Sequence, residues 1–316
     1  MADLSKPAVL AVAGPTASGK TSLGVFLAAE LGCEIISTDS MQIYKDLDVG
    51  TAKVTPEEMC GIPHHCLDIR TPEETFSVAD FVDLANATTQ QILQRGNIPL
   101  LVGGTGLYLE SYLKGMRFAP DKTDPAIRQA LSQELAEVGA EEMYRRLEQV
   151  DPEAAHATHP NNTVRVLRAL EHYRATGHTL SEQRKMSLPE EPPYRSLVFG
   201  LDFPDRAQLY QRIDLRVDLM MQQGLLEEAE LVYQNQETYR TAAQAIGYKE
   251  FFPYFKQESA LEPCVEKLKQ ASRNYAKRQL TWFRRMENIC WLDAGAPDVK
   301  EIALEKARQF LQTSAQ

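Results

Sequence analysis

Over its first hundred residues the chain alternates short, continuous apolar runs with stretches of helical spacing. Ala8-Val9-Leu10-Ala11-Val12-Ala13 reads as a buried strand, Glu34-Ile35-Ile36-Ser37-Thr38 as a second and Ile98-Pro99-Leu100-Leu101-Val102 as a third. Runs that are apolar on both faces belong in a parallel sheet covered by helices on both sides. Lys20 to Leu31 reads as a helix that Gly32 stops. Each predicted strand ends in polar or glycine-rich residues, at Gly14, at Asp39 and at Gly103-Gly104-Thr105-Gly106. Open α/β sheets place their ligand crevice at such ends, so three of them point to one site.

From about Asp121 to Leu188 the pattern becomes polar and helix-favouring, without strand-like runs. Ala119-Pro120 and Pro189-Glu190-Glu191-Pro192-Pro193 bound it. The expected organisation is therefore an α/β core of residues 1–118 and 196–316 with an all-helical insertion, 119–195, between proline-marked hinges. Ser196 to Phe203 returns as a strand, and the remainder reads as helix. Its clearest amphipathic stretch is Cys264 to Met286, where Lys269, Arg273, Lys277 and Arg284 fall in one stripe and Leu268, Ala271, Tyr275 and Trp282 lie opposite. Leu280 sits within the basic stripe.

Composition narrows this picture. The chain has 316 residues, 43% hydrophobic and 25% charged, the make-up of a globular protein. No apolar run approaches the roughly 20 residues needed to span a bilayer. Met1 to Lys6 lacks the apolar segment of a signal peptide, so a cytoplasmic protein with no membrane contact is expected. Five cysteines, without CxxC spacing, suggest neither a zinc site nor a disulfide framework. The formal charge of −10 argues against indiscriminate coating of nucleic acid, so any RNA binding must use local basic stripes.

The candidate chemistry starts at Gly14-Pro15-Thr16-Ala17-Ser18-Gly19-Lys20-Thr21, which fits G-x-x-x-x-G-K-[ST] directly after a strand and before a helix. Its glycines let successive N–H groups and the helix N-terminus face phosphate oxygens. Lys20 supplies a point charge, and Thr21 is placed to hold Mg²⁺ through its hydroxyl. The motif fixes phosphate binding, not the reaction; a nucleotide such as ATP and a simple diphosphate fit it equally.

Other residues can narrow the choice. Asp39 can hold Mg²⁺, act as a general base, or simply cap the following turn. The Gly103 to Gly106 turn permits close approach of a bulky ligand, or is only a tight strand-to-helix turn. Arg212 and Arg216, four apart, share a helical face that can neutralise a departing diphosphate, unless Asp205 and Asp214 pair with them. Arg165, Arg168 and His172 share a face in the insertion. The basic helix near residue 277 reads as a solvated face or as a track for a nucleic-acid backbone. His64-His65-Cys66 reads as a structural turn rather than a metal site.

Several motifs occur together and in order: the phosphate loop, Ser37-Thr38-Asp39-Ser40-Met41-Gln42-Ile43-Tyr44, Asp48-Val49-Gly50-Thr51-Ala52-Lys53, and Val102-Gly103-Gly104-Thr105-Gly106-Leu107-Tyr108. His159-Pro160-Asn161, Ala245-Ile246-Gly247-Tyr248-Lys249 and Lys277-Arg278-Gln279-Leu280-Thr281-Trp282-Phe283-Arg284 follow. In this combination the chain resembles the bacterial tRNA dimethylallyltransferase family over nearly its whole length.

The resemblance implies a P-loop NTPase-like parallel sheet flanked by helices and a Mg²⁺-dependent transferase, expected as a monomer. Its partners would be dimethylallyl diphosphate and tRNA, and its acceptor N6 of the adenosine immediately 3′ of the anticodon. The phosphate loop with Lys20 would hold the diphosphate and Asp39 would serve as base, while Thr105 and Arg216 would contact the reacting groups. Matching tRNA-touching stretches are Asp39-Ser40-Met41-Gln42, Thr105, Arg128, Val164-Arg165-Val166-Leu167-Arg168, Gln244-Ala245-Ile246-Gly247-Tyr248-Lys249 and Lys277 to Arg284. A nucleoside or metabolite kinase and a nucleotide-gated RNA-binding protein without catalysis are the competing readings.

Overall fold

The computed structural model describes residues 5–118 and 124–313. The chain falls into two compact units, one of residues 1–113 with 192–316 and the other of residues 114–191. The Ala119-Pro120 boundary expected for the insertion lies outside the described residues.

The first unit is built on a six-stranded sheet in which every pairing is parallel. Its strands are β1 (Ala8–Ala13), β2 (Cys33–Ser37), β3 (His64–His65), β4 (Ile98–Gly103), β5 (Arg195–Asp202) and β6 (Ile289–Asp293), in the spatial order β3-β2-β4-β1-β5-β6. Helix α1 (Lys20–Leu31) follows β1 and ends at Gly32, whose left-handed backbone returns an N–H to the Ala28 carbonyl. After the one-turn α2 (Pro56–Met59) come α3 (Val78–Gln94) and α4 (Gly106–Leu113).

Alternate side chains of the strands fill opposite layers. Leu10, Val12, Ile35, Leu100, Val102, Phe199 and Leu201 pack with Leu23 and Leu27 of α1 and with Ala303 and Ala307 near the C-terminus. α3 lies against β4 and against α4, with Phe81 stacked on Tyr108.

Two strands differ from the sequence reading. His64-His65, expected as a turn, is the edge strand β3, paired through Ile35 and Ile36 of β2. The cause is a buried carboxylate. Glu34 accepts hydrogen bonds from Arg95 at 2.7 and 2.8 Å and from Asn97 at 2.8 Å, and meets His65 Nε2 at 2.7 Å. β6, in a region read as helix throughout, pairs with β5 from Val198↔Ile289 to Asp202↔Asp293. At five residues it is too short, and too exposed at Trp291, to stand out as an apolar run.

Beyond β5 lie α9 (Arg206–Gln222), α10 (Leu225–Gln234), α11 (Phe252–Phe255), α12 (Leu261–Phe283) and α13 (Val299–Gln312). A second core joins Val217, Met220, Leu225, Val232, Tyr248, Phe251 and Leu268 to Ile43, Tyr44 and Leu47 of the segment after β2.

The second unit holds α5 (Pro125–Val150), α6 (Pro152–His156), α7 (Thr163–Thr176) and α8 (Leu180–Ser187) and, among the described residues, no strand. Gly139 breaks α5 with a positive φ of 81°. Leu131, Met143, Leu147, Val166, Ala169 and Leu170 form its core. Asp151 caps α6 through the Ala154 N–H and also accepts from the Ser181 hydroxyl at 2.6 Å, tying α6 to α8.

Glu34 carries a consequence for acid stability. Hydrogen bonding to Arg95 before all else holds its carboxyl at about 2, against 4.5 for a free glutamate. A depressed carboxylate stabilises the fold above the unfolded pKa, and that stability is lost as pH falls through the folded value. Glu34→Gln is therefore expected to lower the urea midpoint above pH 4.5, with the deficit against the native chain shrinking as pH drops towards about 2. A deficit constant across that range would contradict this assignment.

Candidate active site

Because β4 lies between β2 and β1, the segments after these three strands are neighbours. The phosphate loop follows β1, Asp39 follows β2, and the glycine turn follows β4. They open onto one cavity of about 380 Å³. Thr16, Lys20, Thr21, Asp39, Gly103, Gly104 and Arg216 line its charged end, and Val217, Met220 and Leu268 contribute apolar wall. Cavities of this kind orient a ligand by a few convergent polar groups set in apolar surface.

The loop's conformation follows from its residues. Gly19 precedes the helix in the left-handed region at φ 90°, and Ala17 adopts φ 63°. Lys20 Nζ donates to the Pro15 carbonyl at 2.6 Å, which folds the side chain back over the loop. The Ser18 hydroxyl is buried within the loop with no hydrogen-bond partner.

Two cations face this end of the cavity. Burial, helped by the positive charge of Arg216 and opposed by Asp39, pulls Lys20 down to about 7 from 10.5. Arg216, on α9, is likewise pushed below its usual value by burial, while Asp39 and Glu58 favour its charge. Its guanidinium reaches the Ala52 carbonyl at 3.4 Å. Neighbouring cations that have lost water gain most from a multiply charged anion.

Arg212 does not pair with Asp205 or Asp214. Its Nε donates to the Ala17 carbonyl of the phosphate loop at 2.9 Å, and its guanidinium lies over the Phe203 ring. Asp205 instead caps α9, and Asp214 binds Arg273.

Asp39 is half-buried. Its Oδ1 accepts the Met41 N–H at 2.9 Å and the Gln42 N–H at 3.4 Å, so it both caps the turn and lines the cavity. Thr105 Oγ1 accepts the Ser40 N–H at 3.2 Å, which fixes the turn after β4 beside Asp39. Tyr275 of α12 also lines the cavity. Burial and the charge of Asp39 push its phenol up to about 12, so it stays a neutral donor.

The glycine turn is shaped by the protein's own side chains rather than by a bulky ligand alone. A Cβ at Gly103 would strike the Thr38 backbone, one at Gly104 the Gln279 amide, and one at Gly106 the Trp282 ring. Gln279 is the bridge. It accepts the Thr16 N–H at 2.9 Å and donates to the Gly104 carbonyl at 3.0 Å, joining phosphate loop, glycine turn and α12.

This changes the reading of α12. Lys269 pairs with Asp218 at 2.8 Å and Arg273 with Asp214, both on α9, so half of the predicted basic stripe is engaged between helices. Arg284 pairs with Asp202 at 2.7 Å. Leu280 is buried beside Ile213 and Ala276; the helix is covered on more than one side, which a two-faced reading misses. The exposed basic surface consists of Lys267, Lys277, Arg278, Arg284 and Arg285.

The stretches matched to tRNA contact divide in the same way. Ser40, Met41, Gln42, Gln244, Ala245, Ile246, Gly247, Lys249 and Arg278 line the cavity. Thr281 is exposed, and Trp282 is half-buried with its indole N–H on Glu110 at 2.9 Å. Tyr248, Leu280 and Phe283 are buried and support the wall, and Gln279, also buried, lines the cavity. In the second unit Val164 and Arg165 are exposed and Leu167 is half-buried, but Val166 lies in the core. Arg128 and Arg168 both reach the buried Glu171, at 3.3 and 3.4 Å.

Sequence reasoning missed Tyr275, which it placed on an apolar face, and the cavity-lining role of Gly50-Thr51-Ala52. Only the spacing of Tyr275 and Gln279, four apart beside Arg278, could have flagged a polar edge there.

The family model described as IPP transferase matches residues 42–286. The chain is 46% identical over 303 residues to a tRNA dimethylallyltransferase of Geobacillus thermodenitrificans, covering 96% of each. It is 47% identical over 293 residues to one from Bacillus subtilis, covering 93% of each. Among solved structures, the tRNA isopentenylpyrophosphate transferase of Bacillus halodurans matches with a TM-score of 0.73 at 41% identity, covering 98% of both chains. A eukaryotic dimethylallyltransferase acting on tRNA matches with a TM-score of 0.82 at 30% identity, covering 97% of this chain and 80% of that one.

Burial leaves Lys20 largely uncharged above about pH 7. Binding an anion restores its charge, so at about pH 8 inorganic pyrophosphate is expected to bind with proton uptake at the protein, fading towards about pH 6, where Lys20 is already charged. Calorimetry in buffers of different ionisation enthalpy measures it. Equal uptake at both pH values, after correction for pyrophosphate itself, would count against the lowered value.

Proposed function

The chain belongs to the IPP transferase family, and from that membership we infer its activity. It transfers the dimethylallyl group of dimethylallyl diphosphate to N6 of the adenosine immediately 3′ of the anticodon in tRNA, releasing diphosphate. The observation that supports this best is the meeting of Lys20, Arg216 and Asp39 in one cavity lined by the phosphate loop. Two cations suit a leaving diphosphate, and a carboxylate beside them suits an amine that must lose a proton.

An exocyclic adenine amine is a weak nucleophile, so the site must hold it against the allylic carbon. In the reaction the N6 lone pair forms the new bond to C1 of the dimethylallyl group. The C1–O bond breaks, and its electron pair leaves on the diphosphate. Asp39 takes the N6 proton as the bond forms. Lys20, Arg216 and the loop amides stabilise the charge gathering on the diphosphate. The neutral Tyr275 phenol borders the same space, and Thr105, bonded to the Ser40 N–H, is proposed to help orient the reacting groups. The target base must leave its stack to enter a cavity at the strand ends.

Mg²⁺ fits the site. Among the described residues no group of three or more His, Cys, Asp or Glu side chains could hold a metal ion. The Thr21 hydroxyl and the Asp39 carboxylate, both hard oxygen donors, do line the cavity. Thr21 would hold an ion that takes its remaining ligands from diphosphate and water, as magnesium commonly does, and Asp39 would lie near it while acting as the base. When bound, it adds positive charge against the leaving group.

Arg128, Arg165 and Arg168 of the helical unit, and Lys277, Arg278 and Arg284 of α12, are the proposed tRNA contacts, acting through phosphate neutralisation. The helical unit is proposed as the tRNA-contacting insertion, and the chain as a monomeric, cytoplasmic enzyme. No helix among the described residues is long and apolar enough to cross a membrane.

Asp39→Ala tests the assignment of the base. With labelled dimethylallyl diphosphate and unmodified tRNA, transfer is expected to fall by at least about a hundredfold. Affinity for tRNA, measured by filter binding, is expected to stay within about threefold, because other contacts carry it. Undiminished transfer would remove Asp39 from this role.

A further inference from the structure

A carboxylate away from the phosphate loop holds one wall of the cavity. Glu228 lies on α10, in none of the stretches matched to substrate or tRNA, and it is half-buried. Its Oε2 accepts the N–H groups of Asp48 at 2.8 Å and Val49 at 2.9 Å. Its Oε1 accepts the Gly50 N–H at 2.7 Å and the Tyr248 hydroxyl at 2.8 Å. Three successive backbone N–H groups turned to one side form an anion-binding concavity, and this protein fills it with its own side chain.

What the carboxylate holds is part of the site. Gly50, Thr51 and Ala52 line the cavity. The Ala52 carbonyl accepts from Arg216 at 3.4 Å, and Gln42 Nε2 donates to the Thr51 and Ala52 carbonyls at 3.2 Å each. Ala52 adopts φ 47°, in the left-handed region, so the loop needs outside support for its shape.

On the other side, Tyr248 is fully buried and anchors the segment whose Gln244, Ala245, Ile246, Gly247 and Lys249 line the cavity. The two walls are in close contact. A Cβ on Gly50 would collide with the Tyr248 ring, and one on Gly247, which has φ 113°, would lie 3.2 Å from the Gly50 carbonyl.

We propose that Glu228 is a positioning residue for the transfer reaction: it clamps the Asp48 to Lys53 loop to Tyr248, and through the loop it sets Arg216 against the departing diphosphate. The proposal rests on the prenyl-transfer reading of this same cavity. The chemistry demands an ionised carboxylate. Four donors converge on two oxygens, and only a carboxylate presents acceptor sites enough for all of them. In Glu228→Gln one oxygen becomes an N–H₂ group facing other donors, so at least one of these bonds turns repulsive with little change in volume.

The test is a double-mutant cycle of Glu228→Gln and Arg216→Ala, read by transfer from labelled dimethylallyl diphosphate to unmodified tRNA and by inhibition with inorganic pyrophosphate. Glu228→Gln alone is expected to lower kcat about tenfold or more and to raise the pyrophosphate inhibition constant, with KM for tRNA changed less than about threefold. In the Arg216→Ala background it is expected to add little, because the two changes remove the same interaction. Losses that multiply, or an unchanged kcat, would overturn the proposal.

If Glu228→Gln does not fold, Tyr248→Phe removes one donor to the same carboxylate and goes through the same cycle, with the same outcomes deciding. Native enzyme that transfers no label in this assay would overturn the prenyl-transfer reading itself, a result distinct from either.

Discussion

Two cations in one poorly solvated cavity are the constraint on which the rest of this site depends. Lys20 and Arg216 face the same space, and burial weakens the hold of each on its proton. Asp39 offsets part of this charge, but a single carboxylate cannot balance two cations and also be free to take a proton. A ligand with several negative charges resolves the conflict, and its departure as diphosphate leaves the charges matched through the reaction. On the proposed function the phosphate loop serves a leaving group, and ATP, which its sequence pattern fits equally well, is not required by the chemistry.

The framework puts those charges in place by shared supports. The order β2-β4-β1 sets Asp39, the glycine turn and the phosphate loop side by side. Gln279 then links the loop to the turn from α12. That helix also carries Tyr275 into the cavity and leaves Lys277 and Arg278 on the surface. RNA engaged by those two residues would therefore press on the element that braces the phosphate loop. Glu228 performs the corresponding task for the opposite wall.

The central strands were legible because they are buried on both faces, which leaves continuous apolar runs. The edge strands were not. β3 is two residues long and depends on Glu34, Arg95 and Asn97 meeting in space. β6 is partly exposed. The phosphate loop and Asp39 could be read locally, since each needs only a strand end and a turn.

The pairing of Lys269 and Arg273 with α9 could not be read, because periodicity reports which residues share a face but not what that face meets. For the same reason Gly104 and Gly106 looked like openings for a ligand, although Gln279 and Trp282 lie over them. Glu228 offers no motif at all; its role exists only in the four donors that the fold brings to it.

The most direct measurement is the fate of label from dimethylallyl diphosphate incubated with the protein, Mg²⁺ and unmodified tRNA. Label is expected in the RNA as N6-dimethylallyladenosine, at the position 3′ of the anticodon, with one diphosphate released per transfer and no need for ATP. RNA without label, together with ATP-dependent phosphorylation of a metabolite, would contradict it.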